Sequence, residues 1–105
     1  MCQIETNRNR IFVRFFNINR LNILNINLIE KQILNSIVLP ASSVYIDLAN
    51  ISFIDSTAFN SLVKILNVIH RKRSFLKLIN VNAEITELFT LVKLEKTFGL
   101  QIFSD

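Results

Sequence analysis

The sequence predicts an α/β domain in which helices cover a mixed β-sheet, and three observations support that prediction. Segments with two-residue apolar alternation are interleaved with segments whose apolar residues recur at helical spacing. The chain has 105 residues, half of them hydrophobic and 19% charged, which is enough for one core without metals or disulfides. Asparagines and the single Pro40 stand between the periodic segments, whereas Gly99 is the only glycine. Of the ordinary residues, asparagine best tolerates the left-handed backbone that turns require. Residues 1–105 therefore read as one domain, with a core spanning roughly 10–103.

In chain order, residues 10–16 place Ile11, Val13 and Phe15 on one face and Phe12 and Phe16 around Arg14 on the other, as in a strand partly buried on both sides. The opening residues leave room for an antiparallel partner that would make the sheet mixed, with Cys2 at a mobile terminus. Over 25–38, Ile26, Ile29, Ile33 and Ile37 recur at helical spacing, and Pro40 blocks continuation. Residues 43–49 alternate through Val44, Ile46 and Leu48, making a central strand in which Asp47 is the one costly residue. The run to Ile54 reads as the return of that strand.

After Ser56 a helix presents Phe59, Leu62, Val63, Leu66 and Ile69 on a broad apolar sector, widened by Ala58 and Ile65. Asn60, Lys64, Asn67 and Arg71 form its wet side, and Phe59 and Leu62 are assigned to the core. A further strand follows over 74–80, then a helix over 82–92 with Asn82 as its cap.

Charge and composition exclude several functions. The net charge of +4 is spread over Arg8, Arg10, Arg14, Arg20 and the cluster 71–73, without a nucleic-acid signature; the cluster complements the negative end of the helix before it. A lone cysteine gives neither a disulfide nor a zinc spacing, and His70, the only histidine, falls at the polar end of a helix. There is no phosphate-cradling glycine loop, membrane-length apolar run or signal-peptide pattern. The expectation is a cytoplasmic, non-enzymatic protein with no cofactor, no metal, no nucleic-acid partner and no direct membrane insertion.

The most informative residues are Asp55, Ser56 and Thr57, where a strand return meets a helix. Short polar side chains cap the exposed N–H groups of a helix start, whose positive electrostatic environment favours an anion. A serine placed there is a candidate for reversible phosphorylation. Asp47 and Asp55 read as structural, one in a strand and the other as a cap.

The stretch VYIDLANISFIDSTAFNSLVKIL, through Asp47, Phe53, Asp55, Ser56 and Thr57, resembles the central signature of STAS domains, the sulfate-transporter and anti-sigma-factor-antagonist family. Downstream, SFLKLINVNAEITELFTLVKLEKTF resembles the family's next strand, Asn-containing turn and helix. The resemblance implies a protein-binding module with no catalytic residue. It also implies that Ser56 is the residue phosphorylated by an anti-sigma factor serine kinase and dephosphorylated by a PP2C-type phosphatase in bacterial signalling, with Thr57 the lesser acceptor. Asn22, Asp55, Thr57 and Ala58 would surround the phosphosite; Asn22 stands where antagonists often carry Asp, and Ala58 where glycine is common. Ser56, Thr57, Asn60 and Lys64 would face the partner. The alternative implied is a constitutive STAS subunit or scaffold of a lipid-transport or stress-signalling complex, bound to transporter subunits.

Overall fold

The structure, a computed structural model, describes residues 1–91 and 100–104. Its elements are β1 (Cys2–Asn7), β2 (Arg10–Phe15), β3 (Arg20–Leu21), α1 (Ile26–Ser36), β4 (Ser43–Asp47), β5 (Phe53–Ile54), α2 (Ser56–Arg71), β6 (Phe75–Val81), α3 (Ala83–Leu91) and β7 (Gln101–Ser104). The main sheet has the order β1-β2-β4-β6-β7. β1 pairs antiparallel with β2, and the other neighbours are parallel. The predicted mixed α/β sheet is therefore present.

Alternation builds the core. Ile11, Val13 and Phe15 on β2, Val44 and Ile46 on β4, and Leu76 and Leu78 on β6 are buried. They meet Ile26, Ile29 and Ile33 of α1 and Ala58, Leu62, Ile65, Leu66 and Ile69 of α2. On the opposite face, Phe12 stacks on Tyr45 at 4.8 Å between ring centroids, and the Lys77 ammonium lies 5.2 Å from the Tyr45 ring.

Four details depart from the sequence reading. Cys2 is not at a mobile terminus; it lies in β1, half-buried against the core. Burial pushes its thiol pKa up, which makes it a poor nucleophile at neutral pH. Helix α1 stops at Ser36, whose hydroxyl donates to the Ile33 carbonyl at 2.6 Å, so Ile37 is buried beyond the helix and Val38 is exposed. The strand return pairs in parallel with β3 in a separate two-stranded sheet, not with β4. Finally, α2 is rotated from the expected sector: Phe59 and Val63 are half-buried, while Ser61 is buried. The Ser61 hydroxyl faces α1, donating to Glu30 Oε1 at 2.6 Å, which explains a polar residue on the packed side.

The turns use asparagine less than expected. Among the described residues, the non-glycine positions with positive φ are Arg8, Asn17, Ala41, Arg73 and Asn80. The cap at Asn82 is present: its Oδ1 accepts the Ile85 N–H at 2.9 Å. Val92 of the expected last helix, and Gly99, lie outside the described residues.

Candidate functional site

Asp55 fixes the start of α2. Its backbone is extended (φ −81°, ψ 175°), so the chain turns into the helix immediately after it. Its Oδ1 accepts the Ala58 N–H at 2.8 Å, and its Oδ2 accepts the Ile23 N–H at 3.0 Å. One carboxylate thus caps α2 and ties it to the turn preceding α1. The Asp55 N–H also donates to the Leu21 carbonyl at 3.1 Å, continuing the β3–β5 contact. With both oxygens held by backbone donors, Asp55 serves as a positioning group.

Ser56 is the first residue of α2 and is exposed, whereas Thr57 is half-buried. Helix geometry leaves the N–H groups of both residues without an intrahelical acceptor, so the site favours an incoming anion. Ala58 is fully buried, and in a helix its methyl group is favoured over the hydrogen of glycine by about 1 kcal/mol.

Asn22 completes the neighbourhood through the adjoining backbone. Its Oδ1 accepts the Leu24 N–H at 3.0 Å, its N–H donates to Asn25 Oδ1 at 3.0 Å, and the Asn25 side-chain amide donates to the Arg20 carbonyl at 2.8 Å. Asparagine and aspartate make the same turn contact, but the amide does so without a second negative charge near Asp55.

Ser56, Asn60 and Lys64 are four residues apart and exposed, which makes them one stripe along α2. Lys64 is not free along that stripe: its ammonium lies 3.2 Å from Glu30 Oε2 on α1. Asp47 is placed apart from this group, at the end of β4, where its Oδ1 accepts the Ala49 N–H at 2.9 Å and the Asn80 side-chain amide at 3.1 Å.

Sequence reasoning missed the apolar border of the site. Leu24 is 90% exposed and Ile23 63% exposed, in the same turn whose N–H reaches Asp55. Phe53, two residues before Asp55, is also exposed, with the Arg20 guanidinium 5.9 Å from its ring centroid. The available signal was that Ile23 and Leu24 fall outside the helical series begun by Ile26, leaving two large apolar residues without a core assignment.

Among the described residues, no group of three or more His, Cys, Asp or Glu side chains could hold a metal ion, and no helix is long and apolar enough to cross a membrane. The arrangement offers a hydroxyl, two helix-start N–H groups and an apolar border, which together suit docking and anion acceptance.

Comparison with solved structures finds the same fold. An anti-sigma-factor antagonist (STAS) domain protein from Planctomyces limnophilus matches with a TM-score of 0.83 at 17% identity, covering 99% of this chain and 90% of that one. The Bacillus cell fate determinant SpoIIAA in its phosphorylated form matches with a TM-score of 0.71 at 16% identity, covering 97% and 90%. The murine anion transporter Slc26a9 matches with a TM-score of 0.74 at 13% identity, over 96% of this chain but 17% of the transporter. No curated protein sequence gives a significant match. The family profile described as "STAS domain" matches residues 3–105, nearly the whole length of the chain. The chain belongs to the STAS domain family.

Proposed function

We propose that this STAS domain is an anti-sigma factor antagonist that binds an anti-sigma factor serine kinase while the Ser56 hydroxyl is unmodified, and releases it on phosphorylation. STAS domains are non-catalytic regulatory and binding modules, so the function to be assigned is a binding one. The observation that carries the reading is the exposed Ser56 hydroxyl at the helix start, bordered by exposed Ile23, Leu24 and Phe53. A partner that covers this apolar border also covers the hydroxyl. A phosphoryl group there adds about −1.5 to −2 charge and three strong acceptors, which the helix start accommodates but a closely packed interface does not. A PP2C-type phosphatase would restore binding. The structure of SpoIIAA in its phosphorylated form lends support, since that STAS protein has the same fold and carries the modification.

Pull-down with the wild-type chain, Ser56→Ala and Ser56→Asp, followed by mass spectrometry of the captured protein and of the phosphosite, tests the reading. Capture of an ATP-binding serine kinase by the wild type and Ser56→Ala but not by Ser56→Asp is the expected outcome. With the purified kinase and ATP, one phosphate should appear on Ser56, affinity should fall at least about tenfold, or roughly 1.4 kcal/mol, and the circular dichroism should stay unchanged. Modification of Thr57 alone, or full affinity after complete Ser56 phosphorylation, would sink the switch.

A constitutive STAS subunit is the second reading, favoured by the fold match to one part of the Slc26a9 transporter. In a lipid-transport or stress-signalling assembly, the same helix face would stay docked on transporter subunits or a scaffold. Binding that tolerates Ser56→Asp selects this reading.

A further inference from the structure

Five of the chain's twelve lysines and arginines gather at the end of the molecule opposite Ser56. Arg8 sits in the two-residue turn between β1 and β2, and Arg10 opens β2. Arg71 closes α2, and Lys72 and Arg73 lead from it into β6. Hydrogen bonds join these turns. The Ser43 N–H donates to the Asn9 carbonyl at 2.7 Å, the Asn9 side-chain amide to the Ala41 carbonyl at 3.3 Å, and the Ala41 N–H to the Lys72 carbonyl at 3.2 Å.

All five cations are exposed, and the segments 7–10, 36–43 and 70–75 contain no acidic residue. Among the described residues, the lysine or arginine held in an ion pair is Lys64, with Glu30, between α1 and α2. The Lys72 ammonium donates to the Ile37 carbonyl at 2.9 Å, a neutral acceptor that leaves its charge in place. Three turns at this end hold left-handed non-glycine residues, Arg8 (φ 57°), Ala41 (φ 56°) and Arg73 (φ 54°). Glycine or asparagine would cost less at each, so two of these charges are kept at a conformational cost.

Exposed apolar residues lie beside the cations. The contact of Lys72 with Ile37 holds the loop in which Val38 is 81% exposed and Leu39 is also exposed. Phe75, paired in register with Ser43, is exposed at the first position of β6.

We propose that this end is a peripheral docking face for an anionic lipid surface, with the arginines and Lys72 among the headgroups and Val38, Leu39 and Phe75 in the interfacial layer. The combination separates lipid from nucleic acid. An anionic bilayer rewards both the cations and the aliphatic tip, whereas single-stranded nucleic acid is held by a basic groove and a series of stacking aromatics, and aliphatic side chains stack no bases. Docking is peripheral, because no helix of the described chain is long and apolar enough to span a membrane. The 16 residues of α2 place Ser56 about 24 Å from this face. A docked molecule therefore keeps Ile23, Leu24 and Ser56 directed away from the bilayer, and the proposal stands independently of the reading of Ser56.

Co-sedimentation of the full chain with phosphatidylcholine vesicles, with and without phosphatidylserine, tests this. Binding should require phosphatidylserine and weaken as salt is raised. The triple variant Arg8→Asn, Arg71→Gln, Arg73→Asn should lower partitioning at least about tenfold, since each cation near an anionic leaflet is worth roughly fivefold. Asparagine suits the left-handed backbone at positions 8 and 73, so the fold is preserved, as a thermal melt will verify. Val38→Asp with Leu39→Asp should also weaken binding, including at high salt. Equal partitioning with and without phosphatidylserine, or an unaffected triple variant, would overturn the proposal. Preferential binding of an unstructured single-stranded RNA, indifferent to the changes at 38 and 39, would overturn it in favour of nucleic acid.

Discussion

Asp55 links two requirements of the site in one side chain: helix α2 must begin at Ser56, and the turn at residues 22–25 must be held beside it. Its two oxygens accept from the backbone N–H groups of Ile23, 32 residues before it in the chain, and of Ala58, three residues after it. A charged acceptor at a helix start gains from the helix dipole as well as from each hydrogen bond. We expect Asp55→Ala to cost about 1 to 2 kcal/mol in urea denaturation, mainly the lost cap and the released Ile23 N–H. Asp55→Asn should cost less, because its amide oxygen still caps. Equal costs for the two variants would mean that charge, not the cap, holds the junction. The same substitutions should loosen the Ile23–Leu24 turn, so partner affinity should fall further with Asp55→Ala than stability alone accounts for.

Helix α2 shows how far periodicity carries and where it stops. Its start at Ser56, its length and most of its buried residues follow from apolar spacing and the capping residue, but its rotation does not, since neighbouring rotations of a wide apolar sector score alike in sequence. The packing of α1 decides between them: Glu30 draws Ser61 inward and leaves Phe59 at the border, its ring 5.2 Å from that of Phe89. Leu62→Ala should therefore cost about 3 to 4 kcal/mol and Phe59→Ala only about 2, because part of the Phe59 ring is already solvated. A larger loss at Phe59 than at Leu62 would contradict this rotation. Other elements were less legible for related reasons. β3 and β5 are two residues long, too short for alternation to register, and their pairing depends on residues more than thirty positions apart. β1 carries Gln3, Glu5 and Thr6 among its few apolar residues, so only its partner β2 identifies it as a strand. At the site, the motif at 55–57 was readable because capping is local, whereas the border formed by Ile23 and Leu24 emerges only when the two loops meet.

At the scale of the whole molecule, the parallel strands give the domain two chemically distinct ends. The Ser56 junction lies towards their C-terminal ends, and the basic turns lie at their N-terminal ends. Both ends depend on one sheet, and β1 closes an edge of it. Its six-residue antiparallel register satisfies the outer backbone groups of β2, and Cys2 and Ile4 pack against the core. A chain lacking residues 1–8 would leave β2 as an open edge, with Ile11 and Val13 less covered, a recognised template for strand pairing between molecules. We expect that deletion to cost at least about 2 kcal/mol, from the packing of two half-buried side chains and the lost strand pairing, and to produce concentration-dependent association on size-exclusion chromatography. The Ser56 region should keep its local structure, because β3, β5 and the start of α2 do not contact the deleted strand through any backbone pairing. A truncated chain that stays monomeric with an unchanged denaturation midpoint would show that residues 10–103 hold a complete core and that β1 is an accessory edge.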